Sequence, residues 1–149
     1  MTPNRRRFSP SSLAIGVVAL IACAGGQKAA LQPSRSIAAV DDKVEAKVEA
    51  KQTAEGNTHL EVAVEHLAPP QRVAPDASTY VVWAMPAATG GEHIENLGAL
   101  SIGEERKGEL KAFTPLQSFD VLVTPEASAK VQTPTHEAVL TARVSMSSP

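Results

Sequence analysis

The sequence predicts an all-β fold: an immunoglobulin-like antiparallel β-sandwich of about seven strands. Three observations predict it. The 149 residues hold 11 Pro and 9 Gly but only 3% aromatics, a mix that suits short strands and turns better than a helical bundle. Several segments alternate apolar and polar residues with the period of two that belongs to a half-buried strand. The stretch that holds them, 41–149, is close to the roughly 100 residues of an immunoglobulin-like domain.

The first strand is read from "KVEAKVEAK", 43–51. Glu, Ala and Lys favour a helix. A helix, however, would stack Lys43, Lys47 and Lys51 at i,i+4 and set Glu45 on Glu49, which repel. As a strand the segment puts Val44, Ala46, Val48 and Ala50 on one face and the charges on the other. "THLEVAVEHL", 58–67, alternates in the same way and is its expected hairpin partner. Paired positions must sum to an even number if both apolar faces are to point inward. A sum of 112 gives a three-residue loop, Glu55-Gly56-Asn57, and opposes Lys51 to Glu61 and Lys47 to Glu65. Sums of 110 or 114 oppose Glu to Glu. Each cross-strand charge pair is worth about 0.2–1 kcal/mol, so 112 is the predicted register.

Next, "APPQRVAPDAS", 68–78, is too rich in proline for an interior strand and is expected to be a loop. "TYVVWAM", 79–85, is apolar on both faces, as a central strand is. Further strands are expected at 97–102, 109–113, 118–124 and 137–145, each bounded by Pro, Gly or Ser/Thr clusters. No segment reads as a credible helix. Sheets with one apolar face close by covering each other, which gives the sandwich. Trp83 is expected to anchor its core, without the cysteine pair of antibody domains, since the chain has one Cys.

That one cysteine, Cys23, follows Arg5, Arg6 and Arg7 and the ten-residue uncharged run Leu13–Ala22. A spanning helix needs about 20 apolar residues and a signal h-region roughly 7–15. Residues 1–22 are therefore expected to be a signal peptide; a weak anchor over 8–26 is the alternative. Leu20-Ile21-Ala22-Cys23 resembles the bacterial lipobox. The resemblance implies diacylation of the Cys23 thiol, cleavage after Ala22 and acylation of the new amine. One acyl chain anchors only marginally, at about 0.8 kcal/mol per buried methylene, so stable anchoring takes two. Ala24 stands where lipoproteins kept in the inner membrane often carry Asp, which points to the outer membrane facing the periplasm. "RRRF" also resembles a twin-arginine export signal. Residues 23–40 are expected to form a flexible tether, being small and polar without clear period.

Removing 1–22 leaves 11 basic and 16 acidic residues, a net charge of −5. No basic cluster interleaved with aromatics remains, so nucleic acid is not an expected partner. The acidic surface also argues against docking on anionic headgroups. No cofactor or metal is expected. "ALSIG", 99–103, nearly matches a nucleophile elbow, but a charged turn follows it where a helix is required, so Ser101 is read as an ordinary residue. His59, Glu61, Glu65 and His66 do not form a metal-binding spacing, and His66 has the opposite strand parity. His93 and His136 fall at loop edges. Asp120 is read as the outward residue between Phe119 and Val121. Tyr80 and Trp83 fall on opposite strand faces, so at least one belongs to a core.

"YVVW" (80–83), "NLGAL" (96–100), "SFDVLVTPE" (118–126) and "PTHEAVL" (134–140) occur in the same order in the C-terminal extracytoplasmic β-sandwich of anti-sigma-K-type factors, which this region resembles over about 65 residues. The chain lacks that family's cytoplasmic sigma-binding helices and its membrane span. The resemblance implies a non-catalytic interaction or sensing domain in the cell envelope, with a protein partner and no catalytic residues. A small-ligand or carbohydrate-binding module is the alternative. The loops 68–78, 86–96 and 125–135 are the candidate surfaces.

Overall fold

A computed structural model describes residues 26–34, 43–88 and 92–146. They form an all-β sandwich of two antiparallel sheets with nine strands among the described residues. The strands are β1 (Gln27–Ala30), β2 (Gln32–Pro33), β3 (Glu45–Gln52), β4 (Thr58–Glu65), β5 (Thr79–Pro86), β6 (Glu95–Leu100), β7 (Gly108–Thr114), β8 (Ser118–Glu126) and β9 (Leu140–Ser145). The first sheet has the order β1-β3-β4-β7 and the second β2-β9-β8-β5-β6. Counted from β3, the strands follow the immunoglobulin order A-B-E and C-F-G; the fourth strand, β6, pairs with the third instead of the fifth.

The inward faces are those the alternation predicts. Ala46, Val48 and Ala50 of β3 and Leu60, Val62 and Val64 of β4 meet Tyr80 and Val82 of β5 and Phe119, Val121 and Val123 of β8 in one buried cluster. Burying such side chains contributes roughly 1.5–3 kcal/mol each, which is why the period of two survives tertiary packing.

The hairpin register differs from the expected one. Glu49 faces Glu61 and Glu45 faces Glu65, a sum of 110, with parity preserved. The cations come from neighbouring strands: Lys28 of β1 lies 2.9 Å from Glu49, Lys111 of β7 3.6 Å from Glu61, and Lys107, just before β7, 3.9 Å from Glu65. Charge pairing within two strands therefore could not decide a register in a four-stranded sheet. The turn is longer as well. Thr53 N–H donates to the Asn57 carbonyl at 2.8 Å, and Gly56 takes φ +85°, the left-handed position a side chain resists.

The expected tether is partly strand. Gln27–Ala30 pairs with β3 and Gln32–Pro33 with β9, so this segment crosses from one sheet to the other along the open side of the sandwich. Leu31, at the crossing, is 4% exposed, and its N–H donates to the Ala46 carbonyl. The pattern is a short alternation with Ala29 and Leu31 inward, too brief and too alanine-rich to register as a strand.

Other differences are smaller. The 68–78 loop contains one helical turn, α1 (Pro70–Val73), started by a proline at its first position. β6 begins at Glu95, two residues early, because β5 and β6 slip register between Val82 and Trp83 and leave Leu97 without a partner. Gly98 follows this bulge at φ +130°, where a Cβ would lie 3.3 Å from Leu110. β9 begins at Leu140, not at 137. Trp83 is fully buried but not between the sheets: Tyr80 holds the inter-sheet position, and Trp83 lies on the outer face of the second sheet. Residues after β8 fold back over it. Beside Trp83, Asn96 donates to the carbonyls of Ala129 and Val131, at 3.1 and 2.7 Å.

The sandwich has two ends. One carries Gly26, the 53–57 turn, the β5–β6 connection and 115–117. The other carries α1 with its flanking loop, the 101–107 turn and the segment after β8.

Candidate functional site

The second end gathers the polar chemistry and two adjoining grooves. The 101–107 turn forms their shared wall. Gly103 N–H donates to the Lys107 carbonyl, Arg106 N–H to the Gly103 carbonyl, and Leu67 N–H to the Arg106 carbonyl. Arg106 and His66 both take left-handed φ, 61° and 59°. Such residues are uncommon and are held by their surroundings. Here the Arg106 guanidinium donates to the His66 carbonyl at 2.6 Å and ties the two together. A groove of about 310 Å³ opens between Ser101–Gly103 and Pro69, Pro70 and Ser78. A second, of about 590 Å³, opens between Ser101–Gly103 and the ends of β4 and β7. Both fall within or near the size range of ligand clefts.

Beside the smaller groove lies a buried carboxylate. Ser78, on the groove wall, donates its N–H to the Glu126 carbonyl at 2.8 Å. The Glu126 side chain is fully buried. Its Oε1 accepts from Thr124 Oγ1 at 2.6 Å and from Thr135 N–H at 2.9 Å, and its Oε2 accepts from the Thr135 hydroxyl. Burial opposes ionisation. The hydrogen bonds from Thr124, Thr135 and the His136 backbone outweigh it and hold the carboxyl below its ordinary value. Thr124 Oγ1 in turn accepts from Trp83 Nε1 at 2.9 Å.

The cluster continues outward. His136 Nδ1 lies 3.0 Å from Thr135 Oγ1, and Nε2 lies 3.1 Å from Asp76 Oδ1. A hydroxyl beside an imidazole beside a carboxylate has the form of a nucleophile relay. The proton count does not support one. The single hydroxyl proton of Thr135 goes to Glu126, a carboxylate that can only accept, so Thr135 Oγ1 can only accept from His136. The two ring contacts of His136 fasten the 127–139 segment to the Asp76 loop.

The residues singled out in the sequence are dispersed. Cys23, Leu20, Ile21 and Ala22 lie outside the described residues. His59 stacks on Phe113, with ring centroids 4.7 Å apart, and lies 3.9 Å from Glu61 on the solvated face of the first sheet. Glu65 belongs to Lys107 and not to a metal set. Among the described residues no group of three His, Cys, Asp or Glu could hold a metal ion, and no helix is long and apolar enough to cross a membrane. Ser101 is exposed and lines both grooves, in a turn with no helix after it. His93 is exposed at the other end of the sandwich. Asp120 points outward and accepts from Nε and Nη2 of Arg143, at 2.7 and 2.8 Å. Sequence reasoning missed Glu126. The signal was Thr124-x-Glu126, which continues the polar face of Ser118 and Asp120 into positions that are buried. No family model matches the chain, and a comparison with curated proteins found no match.

Proposed function

We propose that the chain is a lipid-anchored bacterial envelope protein whose sandwich is a non-catalytic interaction or sensing domain. One observation carries this reading: the only cysteine stands at the acylation position of Leu20-Ile21-Ala22-Cys23, behind a basic cluster and an apolar run of signal-peptide length. The fold is compatible with it. Among the described residues no buried side-chain nitrogen or oxygen lacks a partner. The buried polar groups at the groove end are spent on one another, whereas a catalytic site keeps a reactive group aimed at the substrate. The likeness to the anti-sigma-K-type sandwich favours a protein partner, received by the loops around the grooves.

The groove volumes give the small-ligand reading its one supporting observation. A sugar site would need exposed aromatics. Tyr80 and Trp83 are fully buried, and the exposed aromatic Phe113 lies on the first sheet, away from the grooves.

The test is the mass of the N-terminal peptide extracted from membranes. A peptide that begins at Cys23 and carries two or three acyl chains supports the proposal. An uncleaved N-terminus, or a cleaved one without acyl groups, refutes it.

A further inference from the structure

We infer that the 53–57 end of the sandwich is held against the lipid headgroups and that the groove end faces away from the membrane. This rests on the lipid anchor proposed above and adds an orientation to it. The connection is short. Gly26 already packs on β3: a Cβ there would lie 2.6 Å from Lys51 Cγ and 3.0 Å from the Ala50 carbonyl oxygen. Gln27 pairs with Ala50, and its side-chain carbonyl accepts from Ser145 N–H at 2.6 Å. Lys28 holds Glu49, and Leu31 is buried at the crossing between sheets. Gly26, three residues after Cys23, is therefore already fixed to the first sheet. Even fully extended, three residues span at most about 11 Å.

The end so tethered includes the 53–57 turn, because Gln27 lies beside Ala50 at the closing end of β3. The opposite end lies one sheet length away. β8 runs nine residues from Ser118 to Glu126, about 30 Å. The tether keeps the first end at the bilayer and carries both grooves, Glu126 and the Asp76–His136 contact outward. A partner would then approach from the aqueous side.

Attraction is not the cause. The tethered end carries Glu55, Glu92 and Glu95 against Lys51, so it offers no cationic patch to draw anionic headgroups. The orientation follows from covalent length, and two consequences distinguish it from electrostatic docking. High salt leaves it unchanged, and a longer tether abolishes it. About 20 inserted Gly/Ser residues have a root-mean-square span of about 25 Å, comparable with the domain itself.

The experiment uses the natural thiol count. In the acylated chain Cys23 is consumed by its thioether, so Glu55→Cys or Glu104→Cys supplies the one thiol for a maleimide fluorophore. Both positions are exposed. The purified lipoprotein is reconstituted in phosphatidylethanolamine–phosphatidylglycerol vesicles that carry a headgroup spin label. The expected result is several-fold stronger quenching at 55 than at 104, unchanged by high salt and levelled by the insertion after Gly25. Equal quenching, stronger quenching at 104, or a contrast lost in salt overturns the orientation. The unsubstituted chain separates the two failures. If it takes the maleimide, Cys23 is free and the anchor reading fails along with this one. If it stays unlabelled while the contrast is absent, the orientation alone fails.

Discussion

Replacing Glu126 with Gln should destabilise the mature chain by about 2–3 kcal/mol, since each of its hydrogen bonds exchanges a charged acceptor worth about 1.5–3 kcal/mol for a neutral one worth about 0.5–1.5. Three bonds are involved: Thr124 Oγ1 and Thr135 N–H on one oxygen, and the Thr135 hydroxyl on the other. Isosteric Gln keeps the shape, and its oxygen can stay with the two donors on Oε1. Its NH₂ then meets the Thr135 hydroxyl, which has to turn its own proton away. The loss is therefore mostly charge assistance. At about 4 °C per kcal/mol for a domain of this size, the melting temperature should fall by about 8–12 °C. The pH dependence has a definite sign. The folded carboxyl lies below its ordinary 4.5, so its contribution is fully present above that value and is lost as pH falls through the folded value. Urea unfolding from neutral to acidic pH should show wild type losing its advantage over Glu126→Gln in that window. A melting-temperature change under about 2 °C at neutral pH would refute the reasoning, since a buried carboxylate with these donors cannot be neutralised at so small a cost.

Three other perturbations are worth measuring. Asp120→Asn should cost about 0.2–1 kcal/mol at neutral pH in denaturant titration, because it breaks a two-pronged cross-strand pair with an exposed Arg143. The Arg143 bond lowers the Asp120 value, so this difference is present above the ordinary carboxylate range and should fade as pH drops below it. Leu31→Ala should cost about 2–3 kcal/mol and speed amide exchange in β1 and β2 well before β5 and β8, because the buried leucine holds the crossing segment down. Trp83, the one tryptophan, should emit at short wavelength and resist acrylamide; His136→Ala, which releases the contacts to Thr135 and Asp76, should increase quenching without unfolding the sheets.

Period-two alternation located most of the strands because burial of one face imposes it locally, residue by residue. Boundaries and register were less legible because both depend on strands far away in the chain. β6 could not be bounded from "LGALSI" alone: its start is set by a bulge opposite Trp83, and its Gly98 is set by Leu110 on the other sheet. Trp83 was expected in the core because such a residue anchors immunoglobulin domains. Its side of the sheet follows from parity with Tyr80 and Val82, but its burial there needs the segment after β8, whose fold-back leaves no period in sequence.

The hairpin shows why parity was readable when register was not. Moving 58–65 by one residue against 45–52 would expose Leu60, Val62 and Val64 together, at roughly 1.5–3 kcal/mol for each side chain. Moving it by two keeps them buried and changes only exposed charge pairs, at about 0.2–1 kcal/mol each. The large term fixes the face. The small terms then decide among registers, and they are summed over every neighbour a charge can reach. Lys28, thirty-three residues before Glu61, and Lys111, fifty after it, enter that sum because β1 and β7 flank the hairpin. Glu126 follows the same logic: Thr124 lies two residues away, but Thr135 and His136 reach it only after the chain has folded back. A carboxylate on the outer face of a strand therefore joins a buried network when a distant segment folds over it, and that network's other members have to be found in space.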